Sequence, residues 1–441
     1  MPVISGPKGT RDFYPEDMAF QQHIFSCWRA TCKRYGFELY DGPMFENLEL
    51  YTRKSGDEIE KQLYTFTDKG ERLMALRPEL TPTLARMVAA RGNNLKRPVR
   101  WYSIPRLFRY ERMQKGRLRE FFQLNMDILG IPGVSADAEL IAAVVDMMRD
   151  LGFTATDFSV RVSSRTLLEG LFLNAGVPED TLGLLYGLLD KKHKISPEEF
   201  AAELGTLAKS EAQGERIRAI LDVQTLAEAE ALCPELPALK DLTGLFSLLA
   251  TYGISDFVSF DIGIVRGLAY YTGIVFEVFD KMRTMRAIAG GGRYDRLVKM
   301  YGGPDTPAVG FAAGDVVLGE MLKEKSGQPV QPGRSDVFIV SFDANPEKFI
   351  ETARIIRAEG VSCEFPLKAV GIGKQMELAH AARSAIVVFI GGNEEKEGNV
   401  KVKNMKTGEE KLIEKSGLIS YLKQTGIQPQ GRVQNPPYQP A

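Results

Sequence analysis

The sequence predicts an α+β fold: an antiparallel sheet with flanking helices, a helical insertion within it, and a C-terminal α/β domain. Three observations predict it. Strands with period-two alternation and amphipathic helices both occur over residues 1–325. Residues 165–250 turn helix-like, rich in Leu, Ala and Glu (LGLLYGLLDKKHK, SPEEFAAELGTLAKS), before strand patterning resumes at 256–280. Beyond a Gly/Pro/Gln stretch, SGQPVQPGRS, the pattern becomes strand–helix alternation. At 441 residues the chain is too long for one ordinary core, so two or three domains are expected.

The elements follow in order. Gln21–Tyr35 reads as an amphipathic helix with Ile24, Phe25, Trp28 and Cys32 inward, and Phe37–Tyr40 as a short strand. A helix is expected over Glu79–Ala90, after LRP. Arg100–Glu111 and Arg119–Leu129 read as a hairpin with KGR near its tip, and Ser135–Leu151 as a helix rich in Ala, Val and Met. In the insertion, Ser196 followed by Pro197, Glu198 and Glu199 is a helix start. DFVSFDIGIVRGLAYYTGIVFEVFD, 256–280, returns to strand patterning. A linker is expected at 326–334. The last domain, 335–425, reads as DVFIVS, a helix over Pro346–Glu359, VSCEF, a helix around Gln375–Ala382, AIVVFIGG, and a hairpin in NVKVKNMKTGEEKLI. Residues 426–441 have the composition of a disordered tail.

Hydrophobic and charged fractions of 44% and 26% are those of a soluble globular protein. A net charge of −1 argues against nucleic-acid binding by bulk charge but leaves room for a local basic site. No run is long enough for a membrane span, and MPVISGPKGTRDFYP is not of signal-peptide type. Four cysteines without paired metal spacings fit reduced thiols, so a cytoplasmic location is expected. The chain has no GxxxxGK[ST], no GxGxxG after a strand and no HExxH, and its three histidines are scattered. No metal-ligating residues and no tightly bound cofactor are predicted.

The stretch FRYERMQKGRLREFFQLNMD, 108–127, concentrates the chemistry. Five cations (Arg109, Arg112, Lys115, Arg117, Arg119) precede a strand in which Phe122, Leu124, Met126 and Ile128 form one apolar face. Gln123, Asn125 and Asp127 form the other. A half-exposed strand with a charged loop would fit, and so would the polar floor of a pocket beneath a cationic loop.

KGTRDFYP (8–15), LRPELT (76–81), FRYERMQKGRLREFFQ (108–123), VRGLAYYTGIVFE (265–277), AGGGRYDRLV (289–298), AVGFAAGD (308–315) and VKVKNMKTGEE (400–410) occur in that order. Together they resemble the histidyl-tRNA synthetases, class II aminoacyl-tRNA synthetases, over residues 4–420. The resemblance implies that ATP and L-histidine give histidyl-adenylate, which passes its acyl group to tRNA(His). It implies a homodimer with the region around Pro43 at the interface, Mg²⁺ arriving with ATP, and an anticodon-binding-like C-terminal domain. Positioned arginines suit such a reaction, because charge spreads over phosphate oxygens in the transition state. By resemblance, Arg109 holds the α-phosphate, Arg117 meets the distal phosphates, and Arg266 bridges the histidine carboxylate and the α-phosphate. Asp127 accepts from one imidazole nitrogen, and Tyr270 or Tyr271 engages the other. Glu79, Leu80, Thr81 and Gln123 stand at the amino-acid positions, with Glu79, Thr81 and Gln123 at those that take the α-amino group.

The chain departs from the family pattern at several positions. Val317 stands where most members carry an arginine that helps clamp ATP. Leu80 replaces a glycine, Met113 a proline, and Asp127 is one methylene shorter than the usual glutamate. Two other functions keep this fold: a regulatory subunit of ATP phosphoribosyltransferase, which usually lacks the C-terminal domain and much of the VRGLxYY segment, and a non-catalytic RNA-binding module. Retention of Arg109, Gln123, Asp127 and Arg266 favours the ligase.

Overall fold

The computed structural model describes residues 4–53, 62–191, 195–265, 270–282, 285–326, 335–343, 345–393 and 397–427. The chain divides into two compact units, Met1–Gln331 and Pro332–Ala441. Arg266, most of the expected linker and most of the expected tail lie outside the described residues.

The first unit is built on a nine-stranded sheet. Its strands are β1 (Glu38–Leu39), β5 (Val99–Ser103), β6 (Arg106–Phe108), β7 (Glu120–Leu129), β8 (Phe158–Ser164), β9 (Val258–Phe260), β10 (Ile274–Asp280), β11 (Ala289–Arg293) and β12 (Ala308–Gly314). The order is β1-β5-β7-β12-β11-β10-β8-β9, with β6 also on β7. The pairing is antiparallel through the middle and parallel at the two edges, β1·β5 and β8·β9. A small antiparallel sheet joins β2 (Phe45–Asn47), β3 (Thr65–Thr67) and β4 (Leu73–Leu76).

Helix α1 spans Pro15–Arg34, starting six residues before the sequence reading placed it. Pro15 is preorganised for a first turn, and Glu16 and Asp17 complement the helix N-terminus. Helix α2 covers Thr81–Arg91, later than expected, with Leu80 as its N-cap and Pro82 in its first turn. The strand expected at 100–111 is broken into β5 and β6 around Pro105, which has no N–H to give and instead accepts from Gln123. Helix α3 is Ser135–Asp150. Among the described residues, six helices run between β8 and β9: α4 (Arg165–Asn174), α5 (Glu179–Lys191), α6 (Pro197–Leu207), α7 (Glu211–Leu221), α8 (Leu226–Leu232) and α9 (Pro237–Thr251). Helix α10, Asp315–Ser326, follows β12 directly. Among the described residues of the strand pattern over 256–280, β9 and β10 are the strands.

The main core lies on one face of the sheet, where Leu124, Met126 and Ile128 meet Ile24, Phe25 and Trp28 of α1 and the apolar side of α3. The opposite face carries Gln123, Asn125 and Asp127. Register continues that polar line: Asp127 pairs with Gly310 and Gly310 with Gly292, while Asn125 pairs with Ala312 and Ala312 with Gly290. A second apolar layer, including Leu80, Leu84, Tyr271 and Tyr294, closes around it.

The second unit is a five-stranded sheet, β14-β13-β15-β16-β17, over Cys363–Glu364, Val337–Ser341, Ile386–Ile390, Asn399–Asn404 and Glu410–Glu414. Its first three strands are parallel and the last two form the antiparallel hairpin. Among the described residues, α11 (Pro346–Ala358), α12 (Ile372–Ala381) and α13 (Leu418–Gln424) pack with it.

Candidate active site

A pocket opens on the polar face of the large sheet. Its lining joins Gln123, Asn125 and Asp127 of β7 with Glu79, Thr81 and Arg109, the pair Tyr270 and Tyr271, and Tyr294. Gly310 to Ala312 of β12 complete it. Seven residues singled out in the sequence therefore converge on one cavity, from segments far apart in the chain. Leu80 does not join them: its side chain is fully buried in the layer with Leu84, so any part it plays at the site falls to its backbone. Arg117 lies on the adjoining loop rather than in the lining. Arg266 falls outside the described residues.

Asp127 is the centre of the floor. It is 4% exposed, and its Oδ1 accepts a 2.5 Å hydrogen bond from the Tyr294 hydroxyl, itself buried. Burial pushes the carboxyl up to about 7, while the Tyr294 hydrogen bond pulls it down. Gly310 makes this placement possible, because a Cβ there would lie 1.9 Å from Asp127 Oδ1. Gly292 does the same for Tyr271, since its Cβ would meet Tyr271 Cδ1 at 2.8 Å. The glycine-rich strands thus clear room for the side chains of the pocket.

The wall is a cluster of tyrosines. Tyr270 donates to Glu79 Oε2 at 2.9 Å, and its ring lies 5.1 Å from Tyr271 and edge-on to Tyr294 at 6.1 Å. Burial first, then the Glu79 charge, drives the Tyr270 phenol well above its ordinary range, so it stays a donor. Arg165, the first residue of α4, donates to the carbonyls of Val265 and Tyr271 at 3.0 and 3.3 Å and so pins both flanks of residues 266–269.

The cationic loop stands beside the pocket. Arg109 donates through Nε to the Pro78 carbonyl at 2.9 Å and lies over the Phe121 ring. Arg117 Nε is 2.5 Å from Glu111 Oε2. Arg293, in the GGGR run, turns away from the pocket. It binds the carbonyls of Ile131 and Gly133 and forms a buried pair with Asp137, which makes it structural.

Tyr294 and Arg165 were not singled out in the sequence. For Tyr294 a signal was present: Gly290, Gly292 and Tyr294 alternate on one side of a strand, and a glycine run leading to a tyrosine suggests a cleared face. Nothing local marks Arg165, whose partners lie 100 and more residues away. Among the described residues no group of three His, Cys, Asp or Glu side chains is arranged to hold a metal ion.

Residues 9–315 match the family model for histidyl-tRNA synthetase, and 336–425 match that for an anticodon binding domain. The two matches, over this sheet and pocket, define an aminoacyl-tRNA synthetase. The chain belongs to the histidyl-tRNA synthetase family. It is 42% identical to the chloroplastic/mitochondrial histidine–tRNA ligase of Arabidopsis thaliana over 94% of this chain and 86% of that one. It is 43% identical to the histidine–tRNA ligase of Opitutus terrae, over 92% and 95%. The histidyl-tRNA synthetase structure from Nostoc sp. PCC 7120 superposes with a TM-score of 0.80 at 22% identity, covering 96% of this chain and all of that one. A Bacillus halodurans structure described as an ATP phosphoribosyltransferase regulatory subunit/histidyl-tRNA synthetase gives 0.73 at 24% identity, covering 88% and 99%. At these identities the structures show the shared fold.

Proposed function

We infer that the chain ligates L-histidine to tRNA(His) at the expense of ATP, through a histidyl-adenylate. The observation that carries this reading is the buried Asp127 on the floor of a pocket whose rim holds Arg109. On this reading one strand and its loop separate the imidazole acceptor from a phosphate ligand, which is the spacing adenylate formation needs.

The pocket's residues divide the work. Asp127, in its ionised form, accepts an imidazole N–H. Because the Tyr270 hydroxyl is engaged with Glu79, Tyr271 is assigned to the second ring nitrogen. Glu79, Thr81 and Gln123 take the α-amino group. Arg109 neutralises the α-phosphate as the carboxylate oxygen attacks phosphorus, and Arg266 bridges the two reactants. Arg117 meets the distal phosphates. Buried groups that hydrogen-bond a substrate polar atom reject analogues lacking it by roughly 10⁴-fold, which accounts for specificity without editing. Mg²⁺ enters with ATP, and no protein ligand is assigned to it. Residues 335–425 are assigned to the anticodon arm, and the protein is assigned as a homodimer through the surface around Pro43. Among the described residues no helix is long and apolar enough to cross a membrane; a cytoplasmic location is proposed.

Histidine-dependent ATP–pyrophosphate exchange, without tRNA, tests the reading. Exchange is expected. A folded protein with no exchange would overturn the ligase assignment and favour the regulatory subunit.

A further inference from the structure

Two cations meet at the tip of the loop beside the pocket. Arg117 belongs to a tight turn in which its N–H donates to the Gln114 carbonyl at 2.9 Å. Arg286 arrives from 172 residues away and donates through Nη2 to Gln114 Oε1, at 2.6 Å, on the same turn. Sheet register explains the meeting. Gly314 pairs with Gln123, and its N–H donates to the Ile288 carbonyl at 3.3 Å. The segment entering β11 therefore emerges beside the end of β7 that leads into the charged loop.

The two guanidiniums feel each other. Partial burial and then the charge of Arg117 depress the Arg286 pKa, and only Glu111 opposes them. Glu111, 2.5 Å from Arg117, offsets part of this repulsion, and an anion shared between the two guanidiniums would relieve the rest. The start of α10 brings no further cation. Asp315 is buried there, accepting from the Phe122 N–H at 2.9 Å and from Arg11 at 2.7 Å. Val317 is buried as well, and a Cβ on Gly116 would lie 3.0 Å from its Cγ2. An apolar side chain thus faces the turn from the helix, and the second cation reaches the turn from β11.

We propose that Arg286 is a triphosphate-binding residue that clamps the β- and γ-phosphates of ATP together with Arg117, supplying the charge that Val317 does not. The proposal rests on the ligase reading above. In adenylate formation a histidine carboxylate oxygen bonds to the α-phosphorus. The bond from that phosphorus to the bridging oxygen breaks, and pyrophosphate leaves with the electron pair. Arg286 and Arg117 hold the charge that collects on that leaving group.

The test is exchange kinetics on Arg286→Ala and Gln114→Ala. Arg286→Ala is expected to raise the ATP KM by about 10- to 100-fold, the range for losing a charge-assisted hydrogen bond. The histidine KM should stay within about twofold, and inhibition by AMP, which lacks the distal phosphates, should be unchanged. Gln114→Ala removes the tether but keeps the cation, so it should cost less. An unchanged ATP KM in Arg286→Ala would overturn the proposal. So would equal weakening of ATP and AMP, or a Gln114→Ala variant that reproduces the whole loss, since Arg286 would then only shape the loop. Absence of exchange in the unmodified protein would instead remove the ligase reading on which the proposal stands.

Discussion

Tyr294→Phe removes one hydrogen bond and little else. The ring keeps its edge-on packing against Tyr270, and the Tyr294–Asp127 contact at 2.5 Å disappears. That bond favours the ionised carboxyl, which burial has already pushed up to about 7. A hydrogen bond to a charged group contributes about 1.5–3 kcal/mol, and 1.36 kcal/mol corresponds to one pH unit, so the carboxyl should titrate about one to two units higher in the variant. Only the ionised form accepts an imidazole N–H. At pH 7 about half of the unmodified sites are ionised, against about a tenth to a hundredth in the variant. The histidine KM in ATP–pyrophosphate exchange should therefore be about 5- to 50-fold higher at pH 7, with the ratio falling to about twofold or less by pH 9. Free histidine titrates in the same range, but identically for both proteins, so the ratio isolates Asp127. The ATP KM serves as the internal control. A histidine KM ratio that stays constant from pH 6 to 9 would refute the reasoning, because it would show a loss of shape rather than a shifted titration.

Three further outcomes follow from the same geometry. Gly310→Ala places a methyl where Asp127 Oδ1 lies, at 1.9 Å, so the carboxylate must swing off Tyr294; the histidine KM should rise on the order of tenfold or more, and an unchanged value would show that Asp127 does not touch the substrate. Asp137→Ala leaves the buried Arg293 with only the longer 3.3 Å contact to the half-exposed Asp295 as a carboxylate partner, which should cost about 3 kcal/mol in urea unfolding of the first unit; a loss under about 1 kcal/mol would contradict a structural pair. Arg266→Ala should abolish adenylate formation in single-turnover assays with the circular dichroism spectrum unchanged, and an active variant would sink its catalytic assignment.

The sequence showed the floor of the pocket before it showed the pocket. Alternation along β7 separated Gln123, Asn125 and Asp127 from Leu124, Met126 and Ile128, because side-chain direction in a strand is set by parity alone. What parity could not show was what lies opposite. The Tyr294 partner of Asp127 is 167 residues away, and the Gln114 partner of Arg286 is 172 away. Such contacts depend on strand order, which no local pattern encodes. Boundaries suffered for a different reason. The start of α1 moved back to Pro15 because capping chemistry, not the apolar stripe, decides where a helix begins. Leu80 illustrates a third limit: adjacency to Glu79 and Thr81 in sequence says nothing about facing the same way at a helix start, and its side chain went to the core.

In the role proposed for Asp127, substrate choice is set against stability. In the unfolded chain an Asp ionises near 3.9, whereas in the fold it ionises at about 7. A raised acid binds its proton more tightly in the folded state. Its contribution to stability is therefore fully present below about pH 4 and is lost as pH rises through about 7. Three units correspond to about 4 kcal/mol, a substantial part of a domain's net stability. A residue chosen for packing alone would not sit there: an apolar side chain over Gly310 would cost nothing at any pH. In the proposed role, the ligand repays that ionisation with an N–H. The same geometry limits that ligand. Asp127 is one methylene shorter than glutamate and is drawn back over Gly310 by Tyr294, so the acceptor sits at the floor. A side chain must carry its donor to that depth, past the wall of Tyr270 and Tyr271, before binding energy is returned. An imidazole does so with a ring N–H. A purely apolar ring of similar size would bury the same carboxylate with the Tyr294 hydroxyl as donor but no N–H from the ligand, which is the costlier outcome.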